Sequence, residues 1–455
     1  TSAGFLPVGT AATPFTGIFD GLGHTIDGLY IRRTGINYVS LFGYADISAV
    51  IKNTGLTGVN ITGWSSVGGL AGWNRGKIDN CYNTGAVTGF GDVGGLVGQN
   101  YNFGTITNSY SASTVMYGGT GSGPGYFGGL AGWNLGTINN SYSTGSVTAT
   151  GTCRWVGGLA GINYSGSITG SFSTGSVTAG TGNYVGGLVG TNLRGVIDNS
   201  YHTTGAVIGN GDYVGGLVGS NEGSSGNAII TNSYNTATVN GANNVGGLVG
   251  YNVGGSIDNS HHTVGLVSGG YQVGGLVGMN YGSFDGNAII TNSSNTAAVN
   301  GDGDVGGLVG SNGGSSGRAE IRDSHNTGNI TGTSDNVGGL VGNNWAYYDV
   351  SHTDVPGSVL INNSYNTGVV ATTGSYVGGL VGYNYAEGGS SAEISYCSSS
   401  SAVNFDTLSG GGWWLGGLVG NNYGGSITDS SSTGAVNGSN DVGGLVGYNY
   451  CAEIT

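Results

Sequence analysis

A six-residue phrase, Val-Gly-Gly-Leu-Val/Ala-Gly, recurs almost verbatim along the chain and restricts it to folds that can be built by repetition. Its leucine recurs thirteen times between Leu70 and Leu445, most often 29 residues apart and at most 40. A degenerate earlier copy reads Ser40-Leu41-Phe42-Gly43. Four residues after each of the thirteen leucines stands an asparagine: Asn74, Asn100, Asn134, Asn163, Asn192, Asn221, Asn252, Asn280, Asn312, Asn344, Asn384, Asn422 and Asn449. The Leu41 copy has Ala45 there instead. Next comes a phrase such as Gly136-Thr137-Ile138-Asn139-Asn140-Ser141-Tyr142, then one such as Thr144-Gly145-Ser146-Val147, and a polar Gly/Asn/Asp turn closes the unit.

Each unit holds three short β-favouring runs separated by turn residues. With 101 glycines in 455 residues, no 3.6-residue apolar period survives and helices are disfavoured. One unit cannot bury its own Leu, Ile and Val, but stacked units can. The expected fold is all-β, a single parallel β-solenoid (β-helix) of about 14 turns with three short strands per turn. Residues 1–40 read as an N-terminal capping or complementing segment. Residues 41–455 read as the solenoid, with insertions near 116–126, 343–358 and 404–414. Val67, Leu70, Ile78 and Val87, with their equivalents, belong inside. The asparagine column suits a ladder of stacked amides, and also a corner, because Asn tolerates a left-handed backbone. The paired glycines suit a sharp bend or very close packing. A further slot holds Tyr82, Tyr110, Tyr142, Phe172, Tyr201, Tyr234, His261, Ser294, His325, Tyr365, Ser398 and Ser431. That mixture argues for a half-exposed stripe, with an inward tyrosine stack as the alternative.

Composition removes several classes of function. Nine Lys+Arg against 23 Asp+Glu give a net charge of -14, so no concentrated basic surface exists for nucleic acid. No run of eighteen apolar residues predicts a transmembrane helix. The glycines follow no Gly-X-Y period, and 7% charged residues do not suit a disordered chain. Beginning at Thr1 with no charged-then-apolar leader, the chain reads as a mature form or a fragment. Cys81 and Cys397 fill a slot that other repeats give to serine, and read as small buried residues.

These phrases resemble the GLUG repeat, named for its Gly-Leu-hydrophobic-Gly core, over nearly the whole chain from about Phe15. The stretch Phe15-Thr16-Gly17-Ile18-Phe19-Asp20-Gly21-Leu22-Gly23-His24-Thr25-Ile26 is similar to the segment that commonly precedes such repeats. The family occurs in large bacterial and archaeal surface and secreted proteins, including haemagglutinin-like adhesins and segments of IgA-specific metallopeptidases. The resemblance therefore implies an exported, surface-associated, repetitive module and does not imply catalysis. The peptidase relatives carry a separate His-Glu-x-x-His zinc domain, and that motif is absent from this sequence.

Chemistry-bearing residues are sparse. Asp212, Asp302 and Asp304 sit in turns ahead of Val-Gly-Gly phrases and are the best candidates for calcium, which wants several oxygens at one point. No cofactor is otherwise expected. The histidines read as surface residues. His261 and His325 share a slot two turns apart, too far for one metal ion. Aromatic loops at Trp345, Tyr347 and Tyr348, next to Asp349, and at Trp413 and Trp414 suit contact with sugars or proteins. The expected function is a non-catalytic extracellular structural or adhesive repeat protein, secreted to a prokaryotic cell surface. Such a protein could polymerise into a filament or sheath through solenoid ends. The alternative is a carbohydrate-active β-helix enzyme or a glycan-binding module. Expected partners are further copies, adjoining domains, surface glycans or host and matrix proteins.

Overall fold

The computed structural model describes residues 3–119, 125–223, 228–348, 355–405 and 413–455. Parts of the three expected insertions (120–124, 349–354 with Asp349, and 406–412) lie outside the described residues. Among the described residues there is no helix. Every described strand pair is parallel, and antiparallel contact is limited to the bridges Gly4–Ile31 and Ser283–Gly286. The chain is a parallel β-solenoid whose contacts gather into two units. The first is residues 1–211 with 217–220, and the second is 212–216 with 221–455.

One coil of the first unit shows the plan. Val156–Gly157 forms one side, Ala160–Tyr164 the second, and the third is broken into Ser167–Thr169, Phe172–Ser173 and Val177–Ala179. Like lies on like: Ile168 between Ile138 and Ile197, Val177 between Val147 and Val207. The second unit keeps the same register, with Val305 between Val273 and Val337 and Asn312 between Asn280 and Asn344. Val67, Leu70, Ile78 and Val87 are fully buried, as are Val305, Leu308 and Ile321 in the second unit. Each such side chain contributes about 1.5–3 kcal/mol, and it does so only because the coils above and below cover it.

The glycine pair reflects lack of space. A Cβ on Gly246 would lie 1.9 Å from the Val249 carbonyl oxygen, and one on Gly247 2.0 Å from that of Gly275. Neither glycine adopts a positive φ, so close approach rather than handedness excludes a side chain.

The left-handed corner is not where the repeated asparagine stands. None of the thirteen ladder asparagines has a positive φ; the described ones lie in strands. The corner belongs to a different column, including Asn80, Asn108 and Asn140 in the first unit and Asn259, Asn292 and Asn363 in the second, with φ between 44° and 52°. Asn and Asp accept this geometry because a short polar side chain compensates the backbone locally. These outer amides also reach to the preceding coil: Asn140 Nδ2 donates to Asn108 Oδ1 at 2.7 Å, and Asn259 to Asn232 at 2.8 Å.

The N-terminal segment folds onto its own chain. Ile18–Asp20, Thr25–Asp27 and Tyr30–Arg32 all pair in parallel with Val50–Thr62, so they form a coil of the first unit. Ahead of them, Val8 bridges Phe42 and Phe15 bridges Ala45. The Phe15 and Phe19 rings pack on Phe42 at 4.9 and 5.2 Å.

Candidate functional site

Three files of polar side chains run through the interior and bond largely from coil to coil, although Asn83 Nδ2 and Ser143 Oγ in the third are buried without a partner. The first is the asparagine ladder. In the first unit Asn74, Asn100, Asn134 and Asn163 each donate Nδ2 to the Oδ1 of the next member at 2.7–2.8 Å. In the second unit the file runs from Asn221 to Asn449 at 2.7–2.9 Å. It starts at Asn74 because Ala45 has no amide. The second file is serine: the Ser109 N–H donates to Ser141 Oγ at 3.1 Å, and the Ser109 hydroxyl donates back to the Thr107 carbonyl. Cys81 and Cys397 hold this slot as free thiols, and burial pushes their pKa up to about 11, which leaves them unreactive.

The third file faces the second glycine of the phrase. Asn235 Nδ2 donates to the Gly247 carbonyl at 2.8 Å and Asn326 to that of Gly339 at 3.0 Å. Two histidines share this file, which corrects the expectation that histidines are superficial. His202 and His262 are fully buried. Each donates Nε2–H to a carbonyl at 2.6 Å, Gly205 and Gly265 respectively. Burial depresses both; His202 falls to about 4, so both rings are neutral at pH 7. Strand parity decides the matter: His261 faces out half-buried, and its neighbour His262 must face in.

The carboxylates considered for calcium are each capped by a neighbouring coil. Asp212 accepts from Asn243 Nδ2 at 2.9 Å, Asp302 from Thr333 Oγ1 at 2.8 Å and Asp304 from Asn336 Nδ2 at 2.8 Å. Asp302 is exposed, whereas Asp304 is half-buried and its pKa is raised by that burial. Among the described residues no three His, Cys, Asp or Glu side chains converge as a metal site would require.

The outer surface is where the two units differ, and the second carries an aromatic groove. Residues on either side of a ladder asparagine point outward, because side chains alternate along a strand. Around Asn384 these are Tyr383 and Tyr385; around Asn344 they are Asn343 and Trp345. Trp345 lies within the strand Val341–Tyr347, not in a loop. Its ring occupies the space a Gly313 side chain would fill, and its Nε1–H donates to Ser311 Oγ at 2.9 Å. Tyr347 stacks on it at 5.1 Å and 9°.

A column of rings continues from Tyr385 to Tyr423 and Tyr450 at 5.4 and 5.1 Å. It stops at Tyr385, because Trp345 leans the other way. The gap is two contiguous hollows of about 500 Å³ each, sharing Tyr347 and Tyr385. Asn343, Trp345 and Tyr383 line one, and Tyr348, Glu387 and Gly388 the other. Tyr385 donates its hydroxyl to Glu387 Oε2. That bond, then burial, pushes the phenol up to about 12; burial first and the neighbouring phenols second do the same for Tyr383. Both remain hydrogen-bond donors across the physiological range.

Trp414 joins the same surface by packing on Tyr376 at 4.8 Å, which contacts Tyr383 at 5.6 Å. Trp413 is exposed. Thus Trp345, Tyr347 and Tyr348 line the two hollows, and Trp414 buttresses the facing Tyr383 through Tyr376. Tyr383, Tyr385, Glu387 and Asn343 were not singled out from sequence, although their places beside Asn384 and Asn344 mark three of them as outward.

The model of the GLUG motif matches residues 65–88, 91–116, 123–148, 210–240, 241–264, 301–331, 373–404 and 411–437. Among curated proteins, halomucin of Haloquadratum walsbyi is 42% identical over 89 residues, 19% of this chain and 1% of that protein. A protein of Evansella cellulosilytica described as a Gly-rich membrane protein is 41% identical over 80 residues, 17% of this chain and 9% of the relative. The aligned stretches are thus a small part of either relative. No solved structure matches the chain.

Proposed function

We infer, from a chain that belongs to the GLUG-repeat proteins, that this protein is a non-catalytic structural module of a prokaryotic surface protein, displayed outside the cell. The carrying observation is the fate of the interior polar groups. The amide and serine files are bonded coil to coil and the glycine-facing file is so in part, so most of the recurring polar chemistry of the repeat is spent on stacking. An enzyme on this fold would gather unlike groups at one place; here like groups are spread evenly along each unit. An acidic skin with nine cations keeps such a surface soluble and offers few sites to trypsin-like proteases. The relatives, one named halomucin and one described as a membrane protein, support a surface setting.

Two measurements test this. Antibodies to the chain should label intact cells of the source organism, and labelling only after permeabilisation would overturn the surface reading. Purified chain should leave a panel of polysaccharides at their starting length; time-dependent depolymerisation would restore the enzyme alternative. Joining of copies into a filament is the finer form of the proposal, because a coil is complementary to another like it. Electron microscopy of concentrated protein, with and without calcium, should then show extended assemblies in place of single particles.

A further inference from the structure

We propose that the groove between Trp345/Tyr347 and Tyr383/Tyr385 binds a neutral oligosaccharide, with a hexopyranose ring held against the Tyr347 and Tyr385 side chains. The proposal goes beyond the structural role and does not depend on where the protein is displayed. It rests on how the aromatic rings are arranged.

A ring stacked on both sides offers solvent only its edge. Along the Tyr385–Tyr423–Tyr450 column the rings spend their faces on one another. The groove is the place where that column breaks. Trp345 turns to Gly313 and Ser311, its stacking partner is Tyr347 of its own strand, and the Trp345/Tyr347 pair is left facing Tyr383/Tyr385 across the opening. The opening lies within the ~300–1,000 Å³ typical of small-ligand sites. Two aromatic walls receive the apolar C–H face of a sugar, and the polar groups are placed to orient its hydroxyls. The Glu387 carboxylate, which already accepts from Tyr385, has further lone pairs for a sugar hydroxyl, and the phenols of Tyr383 and Tyr385 are held protonated.

Charge selects the class of sugar. The described lining contains one carboxylate, Glu387, and no Lys or Arg, on a chain of net charge -14. An anionic glycan would meet repulsion with no counter-charge, whereas a neutral one meets none.

The experiment titrates the full chain with neutral hexaoligosaccharides (cello-, manno- and malto-series), followed by tryptophan fluorescence and calorimetry. Polygalacturonate fragments and heparin serve as anionic probes. At least one neutral series should saturate and shift the tryptophan emission. Tyr347→Ala and Tyr385→Ala should each weaken that binding about tenfold, while Trp413→Ala should leave it unchanged. Circular dichroism and thermal melts confirm that the variants fold, and Tyr347→Phe provides a milder second variant that should retain most of the affinity. No saturation with any neutral series overturns the proposal. So does tighter binding of the anionic probes, undiminished binding by both alanine variants, or self-association that Tyr347→Ala abolishes without any sugar response.

Discussion

The first and second units treat the same outward slot differently. In the first, Tyr82, Tyr110, Tyr142, Phe172 and Tyr201 form an unbroken stack with centroids 4.7–4.9 Å apart and planes within 4°. In the second the slot breaks into the pairs Tyr234–His261 and His325–Tyr365, separated by Ser294. Beside the ladder asparagines both units carry aromatics, Trp73 with Tyr101 and Trp133 with Tyr164 in the first, and in the second they open the groove around Trp345 and Tyr385. A complete stack satisfies its own faces and has nothing to offer a ligand; an interrupted one exposes faces.

If the units differ only in their skin, disrupting the shared interior should cost both alike. Asn134→Ala in the first unit and Asn312→Ala in the second each strand a donor on one neighbour and an acceptor on the other. Each should lose about 4 kcal/mol of local stability, read by hydrogen exchange of the flanking coil amides. A several-fold smaller effect in one unit would mean that the interiors are not equivalent.

Acid should come next in size. A histidine whose folded pKa lies below its unfolded value leaves the unfolded state holding more protons in the window between them. Stability is therefore complete above about pH 6.5 and falls as pH drops toward 4. For His202 the loss is on the order of 3 kcal/mol, and His262 should act in the same direction in its own unit. His202→Asn, which copies the residue found at Asn235 and Asn326, should flatten the acid limb of the first unit and leave that of the second. Denaturant melts at pH 7 and pH 4.5 with unit-resolved exchange would show it.

The stripe itself gives the smaller effects. Tyr142→Ala removes two stacked neighbours from the continuous run and should cost about 2 kcal/mol. Ser294→Tyr inserts a ring between His261 and His325 and should gain about 0.5 kcal/mol, with equilibrium denaturation as the readout. A gain as large as the Tyr142 loss would show that the gap at Ser294 is a defect.

What could be read from the chain followed from periodicity. Thirteen copies of a phrase in which the same residue types recur leave one way to bury Leu70, Ile78 and Val87, so the parallel solenoid and its amide ladder were accessible. What escaped was parity and local geometry. Asn140 and Asn134 are the same residue type six positions apart, and only the backbone shows that the first turns the corner while the second lies in a strand. His261 and His262 are adjacent, and which one faces inward depends on where the corner falls. Trp345 reads as the start of an insertion loop, yet it continues the strand, because Gly313 in the adjoining coil leaves room for its ring. The groove needed both facts at once: the outward parity of Tyr383 and Tyr385, and the lean of Trp345.

The two amide files run in opposite senses. Inside, Asn134 gives its hydrogen to the higher-numbered coil; at the outer corner, Asn140 gives its own to the lower-numbered one. A coil with an amide at both radii, such as that of Asn134 and Asn140, thus carries an antiparallel couple of side-chain dipoles, which offset one another along the stacking direction. An α-helix accumulates end charge as it lengthens; where this pairing is present, a coil is added without adding to such a field from its amides. A coil inserted upside down would press donor on donor at both radii, so the couple also acts as a key that admits one orientation.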